Sequence, residues 1–200
     1  MSGLTIYGAN QTRSARVLWM ANELGLDYEH VPTTTKECKA ADYLLVNPNG
    51  RVPAIDDNGL CLFESLAINL YLAQKHGGPL APQTPEEWGR TYQWSFWAMT
   101  EMEPHLLTLL LHRLLLPEEQ RKPERADKAE ADLQGPLEVL EKALAGRDWL
   151  ASDHFTVADL NLAAVLSWSK FLKVDLSAYP KTTAWLDTCL KRDAFRKARG

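Results

Sequence analysis

A small α/β N-terminal domain followed by a larger all-α helical domain is what this 200-residue sequence predicts. Up to His76, short apolar runs of strand length alternate with helical stretches and include a hairpin signal. A turn-rich linker follows, Gly77-Gly78-Pro79-Leu80-Ala81-Pro82-Gln83-Thr84-Pro85. Beyond it every apolar pattern has helical spacing. The expected boundaries are residues 1–78 for the first domain, 79–85 for the linker and 86–200 for the helical domain.

Leu4 to Tyr7 reads as a strand. Ser14 to Leu24 reads as a helix stopped by Gly25, which takes a left-handed conformation without a Cβ clash. Tyr28 to Val31 is a second strand ended by Pro32, and Ala40 to Leu45 a short helix. Val52 to Ile55 and Leu60 to Phe63 form a hairpin around Asp57-Asn58-Gly59. Leu66 to His76 is a helix stopped by Gly77-Gly78. This order is of thioredoxin-like type. In the second domain Thr84 caps a long helix that ends at Pro117, with a kink expected at Pro104. Pro123 to Leu144 is a second helix that Gly135-Pro136 is expected to kink. Thr156 and Asp159 form a capping box opening a third, Leu160 to Leu172, and Lys181 to Leu190 begins the last helices.

Composition narrows the function. Hydrophobic residues make up 46% and charged residues 24%, a globular balance. Up to Leu80 there are 6 basic and 8 acidic residues, and from Ala81 onward 16 and 18, so neither half is basic and nucleic acid is not an expected partner. No apolar stretch nears the ~20 residues that cross a bilayer, so no membrane is expected. No secretion signal is read at Met1 to Thr5. Cys38, Cys61 and Cys189 are odd in number and lack metal spacing, as do the five histidines, so no metal is implied and a reducing, cytoplasmic setting is expected.

The chemistry concentrates in two places. Asn47-Pro48-Asn49-Gly50 bends the chain twice before Arg51-Val52-Pro53. A cis bond at Val52–Pro53 would expose the N–H and C=O of Val52, which could pair with an extended peptide as an added strand does. Eleven residues after Pro53, Glu64-Ser65 precedes a helix, where open N–H groups and the positive dipole end favour a carboxylate. The second place is the loop Gly8 to Ser14, at the carboxyl end of the first strand, where open α/β sheets bind ligands. A thiol held there, at a helix N-terminus, would have its thiolate stabilised. Equally, Thr12 or Ser14 could simply cap the helix. Trp94, Trp97, Trp168 and Trp185 fall at helical spacing and read mostly as core.

Together, the Val-Pro turn, the Glu-Ser helix start and the stretches Tyr7 to Trp19 and Glu23 to Glu29 resemble the glutathione S-transferase superfamily, in its bacterial-type cytosolic form. The resemblance covers nearly the whole chain. It implies that Val52 pairs with the cysteinyl part of glutathione, that Pro53 is the cis-proline, and that Glu64 and Ser65 hold the γ-glutamyl end. Arg51 stands where the family often has Gln or Lys near the glycyl carboxylate, and its guanidinium can bind a carboxylate in two places. Lys36 and Lys39 could also reach that end, although a solvated loop is the plainer reading. Four residues before Arg16, where the family often has Ser or Cys, stands Thr12, with Asn10 and Ser14 as alternative partners of the thiolate. A backbone amide is a further alternative. In the beta class a Ser/Thr-Glu pair, matched by Thr100 and Glu101, reaches across a dimer to the partner's glutathione. The histidine and lysine that follow that pair are replaced by Glu103 and Pro104, so the chain is not beta class proper.

The implied function is conjugation of the glutathione thiolate to a small apolar electrophile by a homodimer, each site in a cleft between domains, with glutathione as co-substrate and no protein nucleophile. A glutathione-dependent disulfide or peroxide reductase is the first alternative. A non-catalytic binding or assembly module is the second, although such modules often erode the Glu-Ser pair that is intact here.

Overall fold

A computed structural model describes residues 3–200. It divides into two compact units, one running to Ala81 and including Lys191–Gly200, the other Pro82–Leu190. The last ten residues therefore belong with the first unit, whereas the sequence reading placed them in the helical domain.

The first unit is built on strands β1 (Leu4–Tyr7), β2 (Glu29–Val31), β3 (Ala54–Asp57) and β4 (Leu60–Phe63) in the order β2-β1-β3-β4. β2 runs parallel to β1, with Tyr7 opposite Val31, and the other pairings are antiparallel, with Tyr7 opposite Ala54 and Ala54 opposite Phe63. β3 starts two residues later than expected. Val52 and Pro53 are spent on a cis peptide turn, and proline has no N–H for the ladder. Asn58 and Gly59 both take positive φ, the turn that fits the twist of a two-residue hairpin.

Helices α1 (Ser14–Glu23) and α3 (Ser65–His76) pack on each other and on the sheet through fully buried Val17, Trp19, Met20, Ile68 and Leu72. Between them in sequence, a short 3-10 turn precedes α2 (Ala41–Val46). Tyr43 of α2 meets Tyr7 edge-on at 5.7 Å and packs with Cys38 and Ala54, with half-buried Val52 against the same cluster. The sheet's alternation thus gives Tyr7 and Ala54 to the α2 side.

An ion pair with a buried carboxylate lies at the edge of the sheet. Asp57 is nearly enclosed and accepts from Lys75, from the Tyr71 hydroxyl at 2.7 Å and from Asn58 Nδ2 at 2.9 Å. Burial pushes the Asp57 carboxyl up, but these three donors outweigh it and its pKa is lowered. A carboxyl lowered in the fold stabilises above its unfolded value and loses that contribution as pH falls through the native one. We expect thermal melts of the wild type to fall more steeply than those of Asp57→Asn below about pH 4. Parallel curves would remove Asp57 from the acid transition.

The second unit contains α4 (Pro85–Trp97), α5 (Glu103–Leu110), α6 (Pro123–Ala143), α7 (Val157–Leu166), α8 (Trp168–Leu172) and α9 (Pro180–Leu190). Thr84 caps α4, accepting from the Glu87 N–H at 3.2 Å. The expected single helix up to Leu116 is interrupted by two π-helical stretches, Ala98–Met102 and Leu111–Leu115. The first ends just before Pro104, whose missing N–H breaks the regular ladder at Thr100. α6 runs without interruption through Gly135-Pro136. α7 is buried along all ten residues, and the helix expected from Leu160 to Leu172 divides at Ser167. Trp94, Trp168 and Trp185 are core residues, and Trp97 is half-buried. No helix among the described residues is long and apolar enough to cross a membrane.

The final element, α10 (Asp193–Arg199), returns to the first unit and packs on α1.

Candidate functional site

Residue Arg51 is exposed, but its backbone is fixed. Its carbonyl accepts from the Tyr43 hydroxyl and from Asn47 Nδ2, each at 2.7 Å. Asn47 is 2% exposed and also organises the turn: its Oδ1 accepts from the Asn49 N–H at 3.0 Å and its carbonyl from the Gly50 N–H at 2.8 Å. Burial pushes the Tyr43 phenol up, so it stays a donor at neutral pH. The peptide entering Val52 is therefore clamped from two sides. Beyond it, the N–H and C=O of half-buried Val52 carry no hydrogen bond among the described residues. That is an open edge two groups wide, held by a rigid turn. Lys39 does not extend toward it; its Nζ donates to the Gly50 carbonyl at 3.0 Å.

The start of α3 is equally open. Glu64 occupies the cap position with φ 72°, its side chain makes no capping bond, and the first partnered amide is that of Ile68 on the Glu64 carbonyl at 2.9 Å. The N–H groups of Ser65, Leu66 and Ala67 thus point out of the helix with no partner among the described residues. Ser65 is 4% exposed and accepts from Arg16 at 3.4 Å. The buried Arg16 cation adds to the positive potential of the helix end.

The first loop closes on the same place. A Cβ at Gly8 would lie 2.0 Å from Ser14 Oγ and 2.7 Å from Val52 Cβ, so the loop and the Val52 edge touch through a residue that has no side chain. Arg16, one turn into α1, carries the link on to Ser65. Within the loop the roles divide. The exposed Thr12 hydroxyl accepts from the Ser14 N–H at 3.1 Å and donates to the Ala9 carbonyl at 2.7 Å, bonds local to the turn that precedes Arg13, the cap residue of α1. With Ala15 bonded to Thr12 and Arg16 to Arg13, the amides that open α1 are satisfied inside the turn, unlike those of α3. Ser14 is fully buried and its hydroxyl donates to the Tyr7 carbonyl at 3.2 Å, which removes it from contact with a ligand. Asn10 is half-buried, and one N–H of its carboxamide donates to the Arg199 carbonyl at 3.0 Å.

Asn10, Thr12, Arg51, Val52, Pro53, Glu64 and Ser65 all belong to the first unit, where Gly8 brings the loop against Val52 and Arg16 reaches Ser65. Thr100 and Glu101 belong to the second unit, exposed on its first π-helical stretch, where the Thr100 hydroxyl donates back to the Phe96 carbonyl at 3.3 Å. Sequence reasoning missed Tyr43 and Arg16 as site builders, and it read Asn47 as a turn residue without its bond to the Arg51 carbonyl. Asn47 carried the clearest signal, an asparagine opening a turn next to the clamp. A cavity of about 320 Å³ lies beside Tyr7, Pro32, Tyr43 and Val46; it shares Tyr43 with the Arg51 clamp, but its lining includes none of Asn10, Thr12, Arg51, Val52, Pro53, Glu64 and Ser65. Among the described residues no three His, Cys, Asp or Glu side chains gather to hold a metal ion.

Residues 2–74 match the model of the glutathione S-transferase N-terminal domain, and residues 98–193 that of its C-terminal domain. The chain belongs to the glutathione S-transferase family. It is 35% identical to "Glutathione S-transferase 3" of Zea mays over 98% of this chain and 93% of that protein. It is 28% identical to "Disulfide-bond oxidoreductase YfcG" of Escherichia coli (strain K12), over 98% and 94%. Among solved structures, the theta class glutathione S-transferase from Xanthomonas axonopodis pv. citri with glutathione bound superposes with a TM-score of 0.92 at 26% identity, covering 99% of this chain and 97% of that one. The family models establish the family, and relatives from both a plant and bacteria do not single out a bacterial type.

Proposed function

We propose that this chain is a glutathione transferase: it binds glutathione in the first unit, stabilises its thiolate and aligns it with a small apolar electrophile. One observation carries the reading. The open backbone pair of Val52 lies against the Gly8 loop and the bare N-terminus of α3 is bonded to Arg16 through Ser65, which supports reading the two as one receptor for a short peptide with a carboxylate at one end. Val52 takes the cysteinyl backbone. The α3 amides and the Ser65 hydroxyl take the γ-glutamyl carboxylate, and Glu64 takes its ammonium. Arg51, exposed and next to the clamp, takes the glycyl carboxylate. Thr12 and Asn10 face the sulfur. No residue of the protein needs to be covalently modified, because glutathione is itself the nucleophile, and the gain comes from positioning and from donors aimed at the sulfur.

A homodimer is part of the proposal, with Thr100 and Glu101 reaching the partner's glutathione. Leu45, 84% exposed on α2 next to the Asn47–Gly50 turn, supports an apolar contact there. The three cysteines, odd in number, favour a cytoplasmic setting. Within the family, the first-loop sequence favours a bacterial-type enzyme. The reductase alternative rests on the Escherichia coli relative. Turnover of a glutathione mixed disulfide against that of an aryl halide separates the two.

Calorimetry tests the reading. The wild type is expected to bind glutathione with a dissociation constant on the order of micromolar to millimolar. Ser65→Ala is expected to bind at least about tenfold more weakly, the loss of one hydrogen bond to a charged group. A wild type that takes no glutathione leaves the assembly module as the better account.

A further inference from the structure

We infer that α10 is a positioning element for the first loop, and that its Arg192 anchor and the Arg199 carbonyl set the orientation of the Asn10 carboxamide toward the sulfur. The inference rests on the proposed role of Asn10.

With seven residues, α10 is too short to persist on propensity alone, so its place is set by what it touches. It lies antiparallel along α1 and grips it at both ends. At the far end Arg192 forks onto Glu23, at 2.5 and 2.7 Å, and the Glu23 side chain is only 7% exposed. Trp19 Nε1 donates to the same carboxylate at 2.8 Å. In the middle, Phe195 meets Trp19 edge-on at 4.8 Å, and Asn22 Nδ2 donates to the Ala194 carbonyl at 3.3 Å. Ala198 is buried. At the near end the helix delivers its last carbonyl, that of Arg199, to Asn10. Gly200 backs the same amide so closely that a Cβ there would lie 2.5 Å from Asn10 Nδ2.

This matters because a carboxamide has two faces of opposite sign. Its N–H groups attract a thiolate and its carbonyl repels one. Left to rotate, Asn10 would present either. With one N–H committed to Arg199, the orientation is set and the second N–H remains available as a donor. The negative end of the α10 dipole further favours the N–H edge facing Arg199. Arg192 acts on the sulfur only through this chain of contacts and is a positioning residue.

The test measures the pH dependence of the thiolate absorbance of bound glutathione, with calorimetric affinity and thermal melting alongside. It compares the wild type, Asn10→Ala, a chain shortened by residues 198–200, and the shortened chain carrying Asn10→Ala. The wild type is expected to hold the bound thiol below the pKa of free glutathione. Asn10→Ala and the shortened chain are each expected to raise it by about half to one unit, and the combination by no more than either alone, because both remove one interaction. A merely structural role for α10 would lower the melting temperature and leave the midpoint in place, and that result overturns the inference. Should the shortened chain fail to fold, Gly200→Ala keeps the helix and drives a methyl group against Asn10 Nδ2, and an unmoved midpoint there overturns it equally. Absence of glutathione binding by the wild type defeats the functional reading and the inference together, whereas a lowered thiol pKa with an unmoved midpoint in the shortened chain defeats the inference alone.

Discussion

Asp159→Ala is expected to destabilise the protein by about 4 kcal/mol, lowering the urea midpoint without changing the slope of the transition. The residue is fully buried at the start of α7. Its carboxylate accepts from the Thr156 N–H, the Leu150 N–H and Trp185 Nε1, each at 3.0 Å, and from the Thr156 hydroxyl at 3.2 Å. Truncation orphans three buried N–H groups at once, each costing about 1–3 kcal/mol, and they tie the loop at Leu150, the cap of α7 and α9 to one point. Burial pushes the Asp159 carboxyl up despite its donors, whose geometry needs acceptor oxygens at these positions. Asp159→Asn, which keeps one oxygen in place, is therefore expected to cost about half as much. A loss under about 1 kcal/mol for the alanine variant would show that water replaces the carboxylate.

Glu64→Gly is expected to separate stability from binding. Glu64 sits at φ 72°, ψ 108°, where a side chain costs about 1–3 kcal/mol. Glycine adopts that conformation freely, and after its greater entropy loss on folding the variant should gain about 1 kcal/mol in stability. The same change removes the carboxylate proposed to meet the glutathione ammonium, and affinity should fall about 10- to 100-fold. Paired denaturation and calorimetry check both halves. A variant that gains stability and keeps its affinity would assign the strain to something other than ligand binding.

The legible parts of this molecule were those written within a few residues. Asn58-Gly59 announced the hairpin, Thr84 and Thr156 their helix starts, and Val52-Pro53 next to Asn47–Gly50 the cis turn. Each is a local contest between backbone and side chain, which a short window contains. What the sequence did not show depends on residues far apart. Arg16 looks like one more residue of α1 until Ser65, 49 positions on, accepts its hydrogen bond. Tyr43 is an aromatic on a short helix until its hydroxyl reaches Arg51. Ser14 and Thr12 were interchangeable as hydroxyls, and only burial separates them. Pro104 marked the first π-helical stretch, 98–102, as a kink, whereas the second, 111–115, left no mark, because the apolar pattern runs on through it.

The first unit takes its residues from both ends of the chain. On a ribosome, the strands and α1 emerge first, while α10 follows only after the whole of Pro82–Leu190 has been made. At ordinary elongation rates that interval is on the order of 10 s. Throughout it, Glu23 waits without Arg192 and the ring of Trp19 without Phe195, leaving one side of α1 bare to solvent and to whatever binds nascent chains.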